Sequence, residues 1–272
     1  MTGIFFLYLE GERLSDFPRE LEGILERDDV LFYEAFFEIP PVDEELILKV
    51  HSRNMVDAVK RSVYWETALY SSGGVVLASE EIYRGRIRNA FVFTGVGDHH
   101  AGRNSFWGGC FLNGAALAIE NLREKYGIRK FAILDTDSHH GDGTRDIFAQ
   151  DDDVLHFCFC SLSQDRGTKV DIRVPFPCGD EFYPEKIRTL FRKKVEETKP
   201  YMIFWEYGYD ATSGDYGSRG ISMKAHVEMA QEVKRIADEF CEGRLVVILC
   251  GGSRRDIANY TIPRIIKTLL GG

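Results

Sequence analysis

Residues 131–144, FAILDTDSHHGDGT, constrain this chain more than any other stretch. Phe131, Ala132, Ile133 and Leu134 form an unbroken apolar run, the pattern of a strand buried on both faces of a parallel sheet. The run then gives way to Asp135, Asp137, His139, His140 and Asp142, three carboxylates and two imidazoles within eight residues. Folding alone does not ask for that density beside a buried strand, because buried charge must be paired or bound to metal. Side chains alternate along a strand, so Asp135, Asp137 and His139 leave its end on one side. Carboxylate oxygen and imidazole nitrogen converging there make half of a Zn or Fe(II) site.

Around this stretch the chain alternates between strand and helix patterns. Strands are expected at 2–8, 31–37, 90–94, 131–134, 154–159, 171–174, 201–206 and 245–249, from short β-branched and aromatic runs. Helices are expected at 19–26, 42–50, 55–62, 65–84 (interrupted at Gly73 and Gly74), 115–126, 184–198, 222–240 and 256–269 (with a kink at Pro263). This order predicts an α/β fold, one domain covering 1–272, with a mainly parallel β-sheet flanked by helices. No repeat, low-complexity tract or linker divides it.

The formal net charge of −9 argues against nonspecific nucleic-acid binding, which needs clustered Lys and Arg. No apolar stretch reaches membrane-spanning length and the start does not read as a signal peptide, so a soluble cytoplasmic protein without membrane contact is expected. The cysteines, at 110, 158, 160, 178, 241 and 250, show no CxxC spacing, which argues against a thiolate zinc site. They are expected to be reduced, half-buried thiols, with Cys110 and Cys250 beside suspect loops.

Ligands in open α/β sheets bind beyond the carboxyl ends of strands. Four polar loops follow predicted strands here: 97–113, 135–144, 207–220 and 250–255. A catalytic metal needs a third protein ligand beside Asp137 and His139, and Asp210 in the third loop is the best candidate. An Asp in a turn is also a common N-cap, so the choice rests on the other loops. His99 and His100, adjacent on a glycine-rich loop, suit acid–base work. Each needs a carboxylate to orient it, and Asp135 and Asp142 remain once the metal has its ligands, giving the pairs His99–Asp135 and His100–Asp142.

At this point GDHHAGRNSFWGGCFLNGAALA, ILDTDSHHGDGT, YGYDATSGD and LCGGS, with LILKVHSRNMVDAVK and GTKVDIRVPFPCGD, resemble the blocks of the histone deacetylase and acetylpolyamine amidohydrolase family, in order and spacing over nearly the whole chain. The resemblance implies the arginase/deacetylase fold and removal of an acyl group, such as acetyl, from an amine or acyl-lysine by metal-activated water. It implies Asp137, His139 and Asp210 as ligands of one divalent metal, Zn or Fe(II), and His99, His100, Asp135 and Asp142 as catalytic residues. It further implies a monovalent cation near Asp135 and a substrate-facing carbonyl at Gly108.

Some positions depart from the family pattern. Ser253 stands where the family has the tyrosine that donates to the developing oxyanion, a donor typically worth about 3 kcal/mol. Ser253 through a water, or a guanidinium of Arg254 or Arg255, is a candidate replacement; the arginines equally suit a helix cap or a solvated face. Gly109 replaces a frequent aromatic tunnel wall, for which Trp107 is a substitute, the loop 161–167 is short, and 17–25 lacks a histidine before its proline. Two other readings compete. A ureohydrolase would want carboxylates at positions 141 and 212, which hold Gly141 and Thr212. A catalytically weak or silent binding protein would fit the missing tyrosine.

Overall fold

The computed structural model describes residues 1–7 and 21–271. Within them, one sheet holds β1 (Thr2–Phe6), β2 (Val30–Glu34), β3 (Asn89–Val92), β4 (Phe131–Asp135), β5 (Val154–Cys160), β6 (Gln164–Arg166), β7 (Lys169–Arg173), β8 (Met202–Tyr207) and β9 (Leu245–Leu249). The spatial order is β2-β1-β3-β9-β8-β4-β5-β7-β6. Every neighbouring pair is parallel except the terminal β6–β7 hairpin.

Alternation along the strands builds two cores. Ala132, Leu134, Ile203, Trp205 and Val247 face the layer of α6 (Phe182–Lys186), α7 (Arg192–Thr198), α8 (Met223–Phe240) and α9 (Arg255–Leu270). Phe131, Ile133, Phe204, Val246 and Ile248 face the layer of α1 (Glu44–Val50), α2 (Arg53–Lys60), α3 (Trp65–Tyr83), α4 (Gly114–Tyr126) and α5 (Asp142–Phe148). Burial on both faces is why β4 and β8 are apolar until a carboxylate near their ends and β9 is apolar throughout; each such large side chain contributes about 1.5–3 kcal/mol.

Several expected elements differ in detail. Residues 22–26 form turns rather than an α-helix, with Gly23 at φ +80°, and 8–20, with the rest of that expected helix and the proline region, lie outside the described residues. The helix expected at 184–198 is split by a π-helical turn, Ile187–Phe191. That wide turn keeps Ile187, Phe191 and Val195, four residues apart, all in the core. α3 runs through Gly73 and Gly74; a Cβ at Gly73 would strike the Pro40 carbonyl, so the glycine permits close packing and marks no break. α9 likewise continues through Pro263. The 161–167 segment, expected as a short loop, contains β6. No helix among the described residues is long and apolar enough to cross a membrane.

The consequence for function lies in the strand order. β3, β9, β8 and β4 are adjacent, central and parallel, so the loops after them open at one edge of the sheet. These are the four loops that the sequence marks as chemically unusual.

Candidate active site

The histidine pair is held by its own loop. The carboxylate of Asp98 accepts the backbone N–H groups of Gly114 and Ala115 at the start of α4. Asn113 caps the same helix by accepting Ala116 N–H at 2.9 Å. His51, the C-cap of α1, donates Nδ1–H to the Gly102 carbonyl at 2.7 Å and accepts Asn113 N–H at its other nitrogen, 3.1 Å away. Burial lowers the His51 pKa to about 4, so it stays neutral in this bridge. Sequence reasoning passed over Asp98 and His51; their partners lie far along the chain, and no local spacing reports them.

On this frame His99 Nδ1 lies 2.9 Å from Asp135 Oδ2, and His100 Nδ1 lies 2.6 Å from Asp142 Oδ1. Both are the pairs expected from the leftover carboxylates. The two imidazoles have opposite electrostatics. Burial disfavours charge on His99, but Asp135 and Asp137 outweigh it and hold its pKa well above the ordinary value. Burial and the neighbouring His99 lower His100 to about 4. Trp107 lies against His100, with ring centroids 3.7 Å apart, and donates its indole N–H to Asp142 Oδ2 at 2.8 Å. Trp107 thus orients the second pair from outside, besides lining the cavity.

Beyond β4 the chain leaves strand geometry, and the ligand cluster is set by a turn. Asp135 Oδ1 accepts Asp137 N–H at 3.1 Å, and Asp137 Oδ1 accepts His139 N–H at 2.9 Å. Asp210, after β8, accepts the Ser138 hydroxyl at 2.5 Å and the Ser138 N–H at 3.2 Å. His139 Nδ1 then sits 2.9 Å from Asp137 and 3.2 Å from Asp210, both carboxylates being buried. Hydrogen bonds to Asp137 and Asp210 raise the His139 pKa to about 10. Asp137 and Asp210 repel one another, and burial together with Asp137 raises the Asp210 pKa.

Asp137, His139 and Asp210 offer ligand atoms that all lie within 4.8 Å of one another. Two carboxylates and one imidazole on one side, with a cavity on the other, fit a divalent cation of the Zn or Fe(II) kind with a position left for water or substrate. Glycines make the room: a Cβ at Gly208 or Gly251 would collide with Asp137, and one at Gly217 with Asp210. The Asp135 carboxylate, at the cation position the resemblance implies, is faced by His99, by His156 Nε2 at 4.0 Å and by Cys158 Sγ at 3.7 Å. Glu206, at the end of β8, is also buried beside this group, and burial with Asp135 raises its pKa well above the ordinary value.

A cavity of about 180 Å³ opens over the cluster, lined by His99, His100, Trp107, Gly108, Cys110, Asp137, His139, Tyr216, Cys250 and Gly251. A larger cleft of about 620 Å³ lies around Arg103, Arg123 and Asp151 and shares no lining residue with this cavity. Cys110 and Cys250, expected beside these loops, line the smaller cavity; both are buried rather than half-buried, and burial raises both thiol pKa values, that of Cys110 to about 12.

Ser253 and Arg254 are not brought to this cavity. The Ser253 hydroxyl donates to Asp215 Oδ1 at 2.7 Å and its N–H to Asp215 Oδ2 at 3.0 Å. Arg254 pairs with Asp256 at 2.7 Å on the surface. The residue that reaches the cavity is Tyr216, next to Asp215. Its ring lies nearly parallel to His139, with centroids 5.8 Å apart, and its hydroxyl oxygen accepts Gly252 N–H at 3.0 Å. A Cβ built on Gly251 would lie 3.1 Å from the Tyr216 hydroxyl while colliding with Asp137. Phenol and ligand carboxylate therefore face each other across about the width of one methyl group.

The chain matches the family description "Histone deacetylase domain" over residues 12–269. It is 30% identical to a "Probable deacetylase" of Archaeoglobus fulgidus, covering 100% of this chain and 87% of the relative. It is 26% identical to a "Histone deacetylase-like amidohydrolase" of Pseudomonas aeruginosa, covering 93% of this chain and 75% of that protein. Among solved structures, the "HDA15 HD domain" superposes with a TM-score of 0.84 over 99% of this chain and 89% of that one, at 22% identity, which shows the shared fold.

Proposed function

The chain belongs to the histone deacetylase family, and from that premise we propose that it is a metal-dependent amidohydrolase that removes a small acyl group, acetyl first, from an amine or an acyl-lysine. Residues 1–272 are read as one catalytic domain. The carrying observation is that the histidines of two His–Asp pairs line one cavity together with Asp137 and His139 of a cluster of two carboxylates and one imidazole, at the carboxyl ends of four adjacent strands. The cavity, about 180 Å³, is below the roughly 300 Å³ at which drug-sized pockets begin, in keeping with a short acyl chain. Gly109 has no neighbour near its missing side chain, so on that side the amine portion leaves toward solvent rather than along a walled tunnel.

Asp137, His139 and Asp210 would hold the divalent cation, which supplies Lewis-acid polarisation and acidifies water when bound. The chain's own residues do the remaining work. His100, neutral at pH 7 and held by Asp142 with Trp107 against its face, accepts a proton from the attacking water. His99 keeps its proton through Asp135 and Asp137 and places positive charge beside the cavity. Gly108, packed beside His100, offers the backbone carbonyl for the substrate amide N–H. Tyr216 donates its hydroxyl proton to the carbonyl oxygen as negative charge develops there, the task that Ser253 was a candidate to perform.

The decisive experiment is hydrolysis of N-acyl amines, acyl-lysine peptides and N-acyl amino acids with metal analysis. Turnover that chelation abolishes and that one equivalent of Zn or Fe(II) per active site restores is the expected result. A requirement for two manganese ions bridged at the Asp137 cluster would replace this reading with ureohydrolase chemistry. The structure offers little to that alternative: Thr212 donates its hydroxyl to the Tyr209 carbonyl and packs on His226, and position 141 is glycine. Absence of turnover on every acylated amine would favour the silent binding protein.

A further inference from the structure

A second cluster lies behind the cavity. β5 carries Cys158 and Cys160, two apart and hence on one face of the strand, and both are fully buried. β7 pairs Asp171 directly opposite Cys158. The loop after β4 adds His140, whose side chain is 22% exposed and so gives the group access to solvent. The four ligand atoms lie within 4.8 Å of one another. We propose that His140, Cys158, Cys160 and Asp171 form a second metal site, a structural one that takes a zinc-like thiophilic dication.

The spacing fits such an ion. Zinc bonds of about 2.3 Å to sulfur and 2.0–2.2 Å to nitrogen or oxygen, in a tetrahedron, put neighbouring ligand atoms about 3.4–3.8 Å apart, the longest being sulfur to sulfur. Cys158 Sγ is 3.5 Å from His140 Nδ1, and His140 Nδ1 is 3.5 Å from Asp171 Oδ1. Charge balances as well. Asp171 is already paired with the guanidinium of Arg145 at 2.8 and 3.0 Å, so with both thiols protonated and His140 neutral the group carries no net charge. Binding a dication as two thiol protons leave to solvent gives two thiolates and a carboxylate against the dication and Arg145, again neutral, as a buried site requires.

A disulfide is the poorer explanation for the cysteine pair. Residues two apart in a strand have Cβ atoms about 6.6 Å apart, against the roughly 3.8 Å that a disulfide needs. The absence of CxxC in the sequence does not bear on the site, because its ligands come from three separate segments. Its role would be to tie the loop that begins with Asp135 to β5 and β7, fixing the neighbour of His139 from behind. It shares no ligand with the Asp137 cluster and does not depend on the proposed activity.

Cobalt titration of the metal-free full-length protein tests this without any turnover assay. Thiolate-to-cobalt charge-transfer absorption in the near ultraviolet and two bound equivalents are expected. Cys158→Ser with Cys160→Ser should remove the band and one equivalent. Asp137→Asn should keep the band, and His140→Ala should weaken cobalt binding at the thiolate site at least tenfold. No thiolate band in the saturated wild-type protein overturns the proposal, whether or not the double serine variant folds. A band that survives both serine substitutions, or that disappears with Asp137→Asn, overturns it as well.

Discussion

Tyr216→Phe isolates the oxyanion donor because it removes one oxygen and little else. The hydroxyl proton is assigned to the substrate carbonyl, and a donor of this kind is worth about 3 kcal/mol in the transition state. At 1.36 kcal/mol per factor of ten, kcat should fall about 10²-fold. KM should change little, because the carbonyl carries its full negative charge only in the transition state. The folding cost should be small: Tyr216 is 62% exposed, and the substitution takes away the acceptor that Gly252 N–H uses, worth roughly 1 kcal/mol. The assay is steady-state hydrolysis of an N-acetyl amine with thermal unfolding and metal content measured on the same samples. Ser253→Ala is the internal control. It breaks the bond to Asp215 and should lower stability by about 1 kcal/mol while leaving kcat within threefold. A Tyr216→Phe enzyme within threefold of wild type, with metal and fold intact, refutes the assignment, as does a Ser253→Ala enzyme that loses as much.

Other perturbations read other parts of the site. His100→Ala should lower kcat by about 10²–10⁴-fold, the usual range for a general base, at unchanged metal content; undiminished turnover would remove His100 from that role. Gly251→Ala places a methyl group against Asp137 and should weaken metal affinity, read by competition with a chelator, whereas a neutral result would mean that the 250–255 loop yields freely. His226 is buried with its pKa lowered to about 3, below the 6.5 of an unfolded histidine. Above pH 6.5 it is neutral in both states. As pH falls below 6.5 the unfolded chain takes the proton first and the fold loses stability, about 2 kcal/mol by pH 5. Chemical denaturation at pH 7 and pH 5 should therefore show His226→Gln losing that much less than wild type over the interval; equal losses would exclude His226 as a source of acid sensitivity.

The sequence and the structure agree where chemistry is packed into a few contiguous residues. Asp135, Asp137, His139 and Asp142 stand out because three carboxylates after an apolar strand have no packing use, and the leftover-carboxylate argument then gives partners to His99 and His100. The strand–helix alternation likewise gives the parallel sheet, since a strand buried on two faces must read as a continuous apolar run. What stayed hidden was whatever depends on residues meeting across the fold. His51 bridges Gly102 and Asn113 from another helix, and Cys158 meets His140 only because β4 and β5 are neighbours. The missing tyrosine shows the difference most clearly. Reading along the chain, the natural substitutes for a donor absent at Ser253 are its neighbours, Ser253 itself and Arg254. In space Asp215 holds the Ser253 hydroxyl and the backbone N–H groups of both residues, and the arginine turns to Asp256. The same bonds draw the 207–220 loop onto the 250–255 loop, and so bring Tyr216, the residue after Asp215, over His139. One carboxylate thus withdraws the serine and delivers the phenol. The loss of Asp215 should therefore cost the reaction more than the loss of Ser253, although Asp215 touches neither substrate nor metal ligand.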